Sequence, residues 1–172
     1  MRFNTILFLT LLLPLLSLSP PEKKEIKNFH KVDEQLYRSA QPSKSEMQWA
    51  EEKGIKTIIN LRNVIDDKQE IKRTNLTQVR IPLQAKKLTY DDIVITLSAM
   101  NAAEKPMLIH CLHGSDRTGC MVAAYQIYKG MEKQKAINQF LEKKYGYNRK
   151  LFPNILELLE DLNVDQLRKD LR

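Results

Sequence analysis

The chain has 172 residues, of which 42% are hydrophobic and 28% charged, and its formal net charge is +7. This composition suits one globular domain with a real core and excludes a disordered chain. The basic balance favours anionic ligands, but no block of lysine and arginine interleaves with aromatic residues, so we expect no nucleic acid partner. Two cysteines, Cys111 and Cys120, are too few for a disulfide framework.

The N-terminal segment is apolar from residue 6 to residue 18. This length is typical of a signal-peptide core and is short for a membrane-spanning helix. Small residues precede Pro20, but a proline directly after the cleavage point hinders the peptidase, so an uncleaved anchor stays open as the alternative. We predict a signal peptide or N-terminal anchor in residues 1–21, a single domain in residues 22–172, and a secreted or periplasmic monomer that an uncleaved segment would attach to a membrane.

The first half of the chain predicts helices alternating with strands. In "SKSEMQWAEEKG", Ser43 and Glu46 have the spacing of a capping box, and Gly54 is placed to end the helix. The runs "IKTIINL", "QVRIPL" and "KPMLIH" are apolar or β-branched, which predicts buried strands of a largely parallel sheet. Between the last two, "TYDDIVITLSAMNAAEK" predicts a helix capped by Thr89, with Asp92 at its third position.

The second half predicts three more helices. "CMVAAYQIYKG" indicates a buried helix ending at Gly130, and "KQKAINQFLEKKYG" indicates another ending near Gly146. Pro153 suits the first turn of a last helix, which continues through "NILELLEDLNVDQLRKDL". Its predicted core stripe is Leu156, Leu159, Leu162 and Leu167. The predicted fold class is therefore α/β, with three α/β/α layers around a small, largely parallel sheet.

The turn "HCLHGSDRTG", from His110 to Gly119, joins the strand "PMLI" to the next helix. At such a turn, backbone N–H groups and the positive end of the helix dipole converge on one point, which predicts an anion site. Arg117 adds a planar fork that matches two phosphate oxygens. Cys111 lies at the base of the turn, where the same donors favour a thiolate. We therefore expect Cys111 to attack a bound phosphoryl group and form a phosphocysteine intermediate.

These residues resemble a known family. Cys111, five intervening residues and Arg117, preceded by His110 and followed by threonine and glycine, resemble the C-x5-R loop of the cysteine-dependent protein tyrosine and dual-specificity phosphatases. The stretches "FHKVDEQLYRSAQPS" and "GIKTIINLR" resemble the opening of the compact bacterial dual-specificity-like members, so the likeness covers most of residues 29–165. It implies the fold of those phosphatases and hydrolysis of a phosphorylated protein or a small phosphomonoester, without cofactor or metal.

The resemblance also assigns roles within the turn. Cys111 would be the nucleophile, Arg117 the phosphate clamp, and Thr118 a hydrogen-bond donor to the departing sulfur. His110 would orient the loop and tune the thiolate. The phosphate-binding amides would be those of Leu112, His113, Gly114, Ser115, Asp116 and Arg117. The His113 side chain is expected at the pocket rim, either touching substrate or exposed to solvent.

The general acid is the position at which the chain departs from the family pattern. Relatives carry an aspartate on a loop upstream of the cysteine, but residues 80–88 contain no acidic side chain. Asp116 stands directly before Arg117, as in the C-x-x-G-x-D-R-T loops of myotubularin-like phosphoinositide phosphatases, in which this aspartate is the expected acid. We favour Asp116 on that ground. The alternatives that stay open are Asp66, Asp67, Asp91 and Asp92.

Three residues of "YRSAQPS", namely Arg38, Ser39 and Gln41, either form a turn or border the pocket, and their turn-forming neighbours favour the turn. Cys120 is expected to be a small buried residue of the following helix rather than a disulfide partner of Cys111.

Other functions compete with a protein phosphatase. A zinc site is disfavoured because adjacent ligands cannot easily face one ion. Sulfurtransferases and arsenate reductases use similar anion loops, but the residues that flank this one favour phosphate esters. Two alternatives stay open: a phosphoinositide or inositol phosphate phosphatase, and a phosphate-ligand binding module that has lost turnover.

Overall fold

A computed structural model describes residues 26–172, so the predicted signal peptide or anchor lies outside the described residues. Within this part of the chain, no helix is both long enough and apolar enough to cross a membrane. The strands are β1 His30–Lys31, β2 Leu36–Ser39, β3 Thr57–Arg62, β4 Thr77–Leu83 and β5 Met107–His110. The helices are α1 Lys44–Glu52, α2 Tyr90–Ala102, α3 Asp116–Tyr128, α4 Lys133–Phe140, α5 Pro153–Glu160 and α6 Val164–Asp170. Two 3₁₀ turns span Ala85–Lys87 and Lys143–Tyr145.

The five strands form one sheet in the order β1-β2-β5-β3-β4. Only β1 runs antiparallel to its neighbour among the described strands. β5 is therefore central, with Ser39 of β2 and Asn60 of β3 both paired with His110 at its carboxyl end. Because parallel strands end at the same edge, the turn after β5 meets the ends of β2 and β3, which is where α/β sheets bind ligands.

Helices cover both faces of the sheet. Since successive side chains of a strand point to opposite faces, Ile58 and Leu108 pack with α1 on one face, while Ile59 and Ile109 face a larger core formed with α2 to α6. Helix α3 runs through that larger core and is buried along nearly its whole length. This arrangement confirms the predicted three-layer α/β fold.

The predicted caps are also present. The Ser43 N–H donates to the Glu46 carboxylate across 2.7 Å at the start of α1. Thr89 and Asp92 form the equivalent reciprocal pair at the start of α2. Each pair satisfies backbone N–H groups that a helix terminus would otherwise leave without partners. Pro153 occupies the first position of α5, as predicted.

Two predicted helix boundaries were wrong. Helix α4 ends at Phe140, and Gly146 instead closes the following 3₁₀ turn with a left-handed φ of +75°. The predicted last helix is two helices, because the Asn163 side chain accepts from the N–H of Gln166 and starts α6. Leu162 lies between the two helices. It is buried, as are the other leucines of the predicted stripe, so all four belong to the core despite the break.

The strand β2 was not predicted, and the turn assignment for Arg38 and Ser39 was wrong. Both residues lie within β2, where they pair with Ile109 and His110 of β5, and Gln41 follows just after the strand. A four-residue strand has too little periodicity to identify from sequence, and its pairing with the central strand stabilises it.

Candidate active site

The turn after β5 forms the floor of a surface pocket. Its residues 111–117, called here the cysteine loop, connect β5 to the first turn of α3. The pocket is lined by Ala85, Cys111, Leu112, His113, Ser115, Asp116, Arg117, Gly146, Asn148, Leu151 and Phe152. The structure therefore brings Cys111, Asp116 and Arg117 together at one pocket.

Four successive carbonyl groups of the cysteine loop have a donor outside the pocket. The Cys111 carbonyl faces His110 Nδ1 at 3.2 Å, and the Leu112 carbonyl accepts from the N–H of Gln41 at 3.2 Å. The His113 carbonyl accepts from Asn28 Nδ2 at 3.1 Å and, at the longer distance of 3.4 Å, from Ser115 Oγ within the loop itself. The Gly114 carbonyl accepts from Arg38 Nη2 at 2.7 Å. None of the four donor residues that lie outside the loop lines the pocket.

The anchored carbonyls fix the opposite sides of the same peptide groups. In a planar trans peptide the C=O and N–H bonds point in opposite directions. Carbonyls held on the outer side of the loop therefore turn the N–H groups of residues 112–115 inward. The positive end of α3 adds to this field. The result is a concave array of donors around Cys111, as the sequence predicts for an anion site.

His110 and Asp67 form a buried pair behind Cys111. His110 Nε2 lies 2.8 Å from Asp67 Oδ2, and both side chains are fully buried. Because His110 Nδ1 faces a carbonyl, which only accepts, that nitrogen carries a proton. The short contact between Nε2 and the carboxylate holds the two side chains together. The pair fixes the ring, and through it the Cys111 carbonyl.

Gln41 connects this pair to the sheet edge. Its amide donates to Asp67 Oδ1 at 2.8 Å and accepts from Arg62 Nη1 at 3.0 Å. The backbone N–H of Gln41 is also the donor to Leu112. The chain Arg62–Gln41–Asp67–His110 therefore extends from β3 to the cysteine loop.

Arg117 is held at the ends of two strands. Its Nη1 donates to the carbonyls of Leu61 and Leu83 at 3.2 and 3.1 Å. Within residues 26–172, protein acceptors use Nη1 alone, so the Nε–Nη2 edge is available for an oxyanion. This placement suits a bidentate contact with phosphate.

Of the five candidate acids, Asp116 alone lines the pocket within the described part of the chain. Its carboxylate is largely buried, and Oδ1 accepts from the N–H of Asn148 at 2.9 Å. Asp67 is committed to His110 and Gln41, and Asp92 caps α2. Asp66 accepts from the N–H of Lys68. Neither Asp66 nor Asp91 lines the pocket.

The remaining loop residues differ in exposure. His113 is exposed at the rim, as expected, and Ser115 is buried. Thr118 is fully buried, and its hydroxyl has no hydrogen-bond partner within residues 26–172. A buried hydroxyl without a partner is unusual, so a group that enters or changes charge during a reaction is its natural acceptor.

Sequence analysis missed Asn28 and assigned no role at the loop to Arg38. Asn28 gave no signal beyond the tolerance of asparagine for left-handed backbone, which it adopts with φ of +56°. Arg38 is 2% exposed, and burial lowers the pKa of its guanidinium to about 10, although Tyr145 and Cys111 favour the charge. Arg38 therefore remains a cation near neutral pH.

The second cysteine lies away from the pocket. Cys120 is fully buried in the larger core, and neither cysteine is in a disulfide. Burial raises the pKa of the Cys120 thiol to about 12, so it stays a neutral thiol near pH 7. This agrees with the interpretation of Cys120 as a small buried residue. In residues 26–172 no three His, Cys, Asp or Glu side chains gather as a metal site would need.

Comparison with known proteins identifies similar chains. The family model "PTP-NADK: DSP-PTPase phosphatase fused to NAD+ Kinase" matches residues 18–151. Dual specificity protein phosphatase TpbA from Pseudomonas aeruginosa (strain UCBPP-PA14) is 29% identical over 122 residues, which are 69% of this chain and 56% of TpbA. The chain thus spans little more than half the length of this curated relative.

Solved structures agree with the fold. The crystal structure of P. aeruginosa TpbA matches with a TM-score of 0.77 and 26% identity, covering 84% of this chain and 91% of that one. A TpbA variant in complex with pTyr matches with the same TM-score and 25% identity, covering 84% and 90%. The core catalytic domain of the PP-IP phosphatase SIW14 from S. cerevisiae matches with a TM-score of 0.73 and 20% identity, covering 85% of this chain and 91% of that one. At this identity the match supports the fold and nothing further.

The geometry of Gly114 gives a test of the cysteine loop. Its φ is +71°, and an added Cβ would lie 2.4 Å from the carbonyl carbon and oxygen of Ser39. Gly114→Ala is therefore expected to displace the loop and weaken binding of tungstate, a tetrahedral oxyanion, by at least about 10-fold, since a hydrogen bond to a charged group contributes about 1.5–3 kcal/mol. Isothermal calorimetry measures this affinity.

Gly54→Ala is the matched control, because Gly54 has a φ of +87° but no atom within 4 Å of an added Cβ. This variant has the backbone strain but not the clash. Denaturant titration should show a loss of about 1–2 kcal/mol in its free energy of unfolding. Equal tungstate affinity in the two variants would contradict the proposed loop geometry.

Proposed function

The chain belongs to the family described as DSP-PTPase phosphatase fused to NAD+ kinase, and on this premise we propose that it is a cysteine-dependent phosphatase of the protein tyrosine and dual-specificity type. The observation that carries the proposal is the row of four outward carbonyls, which turns the loop amides toward one point at Cys111. The name of TpbA and its complex with pTyr support this assignment over an inositol phosphate phosphatase or a binding module.

The first step is transfer of the phosphoryl group to sulfur. The Cys111 thiolate forms an S–P bond as the P–O bond to the substrate breaks, and the departing oxygen takes a proton from Asp116. The loop amides and the Nε–Nη2 edge of Arg117 bind the three equatorial oxygens. Because these donors are fixed before substrate arrives, they stabilise transition-state charge without reorganisation.

The second step returns the enzyme to its starting state. Water attacks phosphorus and gives a proton to Asp116, and the S–P bond breaks to release phosphate and the thiolate. The Thr118 hydroxyl, which has no partner among the described residues, donates to the sulfur as negative charge returns to it. The buried His110–Asp67 pair maintains the position of the Cys111 backbone throughout.

The pocket rim favours an aromatic phosphate ester. Leu112 and Leu151 are 44% and 50% exposed, and both line the pocket together with Phe152. Exposed apolar side chains around a polar centre are typical of a binding surface. We therefore propose phosphotyrosine-containing proteins as substrates, with the ring packed against this rim.

The N-terminal segment adds a proposal about location. Residues 1–21 direct export, either as a cleaved signal peptide or as an anchor. Mass spectrometry of the chain purified from its host should give a first residue near position 20 or an intact N-terminus in the membrane fraction. An intact chain in the cytosolic fraction would contradict export.

The acid assignment predicts a dependence on leaving group. Asp116→Asn keeps an oxygen that accepts from Asn148 but cannot donate a carboxylic proton. Its kcat is expected to fall about 100-fold on alkyl phosphates and less than about 3-fold on p-nitrophenyl phosphate, whose leaving group needs little protonation. Steady-state kinetics on a series of leaving groups measures this.

Two further variants complete the series. Cys111→Ser should abolish turnover of every substrate. Asp66→Asn changes a residue outside the pocket, so its kcat should equal that of wild type on every leaving group. Equal losses on all leaving groups in Asp116→Asn would exclude it as the acid, and full activity of Cys111→Ser would overturn the proposed function.

If the rim binds the aromatic ring, a substitution there should weaken binding of the ring without affecting binding of the phosphate. Leu151→Ala should raise KM for a phosphotyrosine peptide about 5- to 10-fold, the value of partly removing a leucine contact. The inhibition constant of inorganic phosphate should not change. Leu141→Ala, which removes an exposed leucine of the same segment outside this pocket, is the control. An equal rise in both constants for Leu151→Ala would contradict the role of the rim.

A further inference from the structure

Two of the donors behind the cysteine loop come from the N-terminal part of the domain. Asn28 precedes β1, and Arg38 lies within β2, about 75 to 85 residues before the carbonyls that they bind. Neither side chain lines the pocket, so neither touches a bound substrate. Each side chain instead contacts the loop directly through one backbone carbonyl.

Asn28 is held in one orientation. Its Oδ1 lies 3.0 Å from His30 Nε2, which acts as donor there, so Nδ2 faces the other way. Nδ2 donates to the His113 carbonyl at 3.1 Å and to the Tyr145 carbonyl at 3.2 Å. The residue adopts φ of +56°, a left-handed conformation that asparagine tolerates better than most residues with a Cβ.

Arg38 is a buried cation without a carboxylate partner among residues 26–172. Its Nη2 donates to the Gly114 carbonyl at 2.7 Å, and its guanidinium lies 4.3 Å from the centre of the Tyr145 ring. Nε has no hydrogen-bond partner in the described part of the chain. Burying a charge so incompletely paired costs several kcal/mol. An apolar residue would fill the space without this cost, which points to a role for the guanidinium at the loop.

Both carbonyls belong to peptide groups whose N–H faces the pocket. The peptide that carries the His113 carbonyl also carries the Gly114 N–H, and the one that carries the Gly114 carbonyl also carries the Ser115 N–H. We propose that Asn28 and Arg38 are positioning residues for phosphoryl transfer, which aim the Gly114 and Ser115 N–H groups at the phosphoryl oxygens. The proposal rests on the proposed function of the cysteine loop.

The variants separate positioning from packing. Asn28→Gly removes the side chain and tolerates the positive φ, so the backbone is not strained further. Arg38→Met removes the charge and the donor at similar length, and Arg38→Lys keeps the charge but lacks the planar fork. Arg80→Met is the matched control, because Arg80 Nη2 also donates to a backbone carbonyl, that of Asn63, away from the pocket.

The measurements are kcat/KM with p-nitrophenyl phosphate, the tungstate dissociation constant, and the ¹H–¹⁵N shifts of Gly114 and Ser115 on addition of tungstate. Asn28→Gly and Arg38→Met should lower kcat/KM about 10- to 100-fold and weaken tungstate binding about 10-fold, as expected for misaligned oxyanion donors. Asn28→Gly should reduce the tungstate-induced shift of the Gly114 amide, and Arg38→Met that of Ser115. For Arg38→Lys, kcat/KM and tungstate affinity should lie between those of Arg38→Met and wild type. For Arg80→Met, both values should equal those of wild type.

A merely structural role gives a different result. Variants that melt cooperatively at lower temperature but keep the tungstate-induced shifts and kcat/KM within about 2-fold of wild type would overturn the proposal. If Arg38→Met does not fold, Asn28→Gly decides, since Asn28 is only partly buried. An inactive wild type or an active Cys111→Ser would instead contradict the proposed function, and the amide shifts would still report on positioning.

Discussion

The candidate site depends on the orientation of a few peptide groups. When a backbone N–H faces a bound anion, the carbonyl of the same peptide points away from the anion and needs its own hydrogen-bond donor. A buried carbonyl without a donor costs free energy. Here four consecutive carbonyls have such partners: an imidazole, a backbone amide, a carboxamide and a guanidinium. These contacts leave the N–H groups of the same peptides free to face the pocket.

The supporting residues come from several elements because the sheet brings their ends together. Strand β5 lies between β2 and β3, so the loop that follows it contacts the segment after β2 through Gln41 and the end of β3 through Arg117. Polar side chains, buried or partly buried, join these elements through hydrogen bonds. Arg62, Gln41, Asp67 and His110 form one connected set, so continuous hydrogen bonds join the end of β3 to the backbone of Cys111.

Sequence patterns predicted those features that depend on residues close together in the chain. Alternation of strands and helices gave the α/β class, and the capping pairs at Ser43 and Thr89 gave two helix starts. The loop residues Cys111, Asp116 and Arg117 were placed in one pocket because they are close in sequence and follow a buried strand. Each of these predictions needed only a few neighbouring residues.

The supporting contacts could not be predicted because they join distant segments. Nothing in the sequence near Asn28 or Asp67 indicates that these side chains contact residues about 85 or 43 positions later. Strand β2 is too short to show periodicity, and it exists because β5 pairs with it. The break after α5 differs from these contacts, because Asn163 is a local N-cap signal that the leucine repeat on either side of it concealed.

The central claim is that the loop amides converge on one oxyanion position beside the Cys111 sulfur. A crystal structure of the protein soaked in tungstate tests it most directly. We expect the ion beside Cys111, with its oxygens at hydrogen-bond distance, about 2.7–3.2 Å, from the N–H groups of residues 112–117 and from Nε and Nη2 of Arg117. A tungstate ion bound elsewhere, or loop carbonyls turned toward the pocket, would contradict the account.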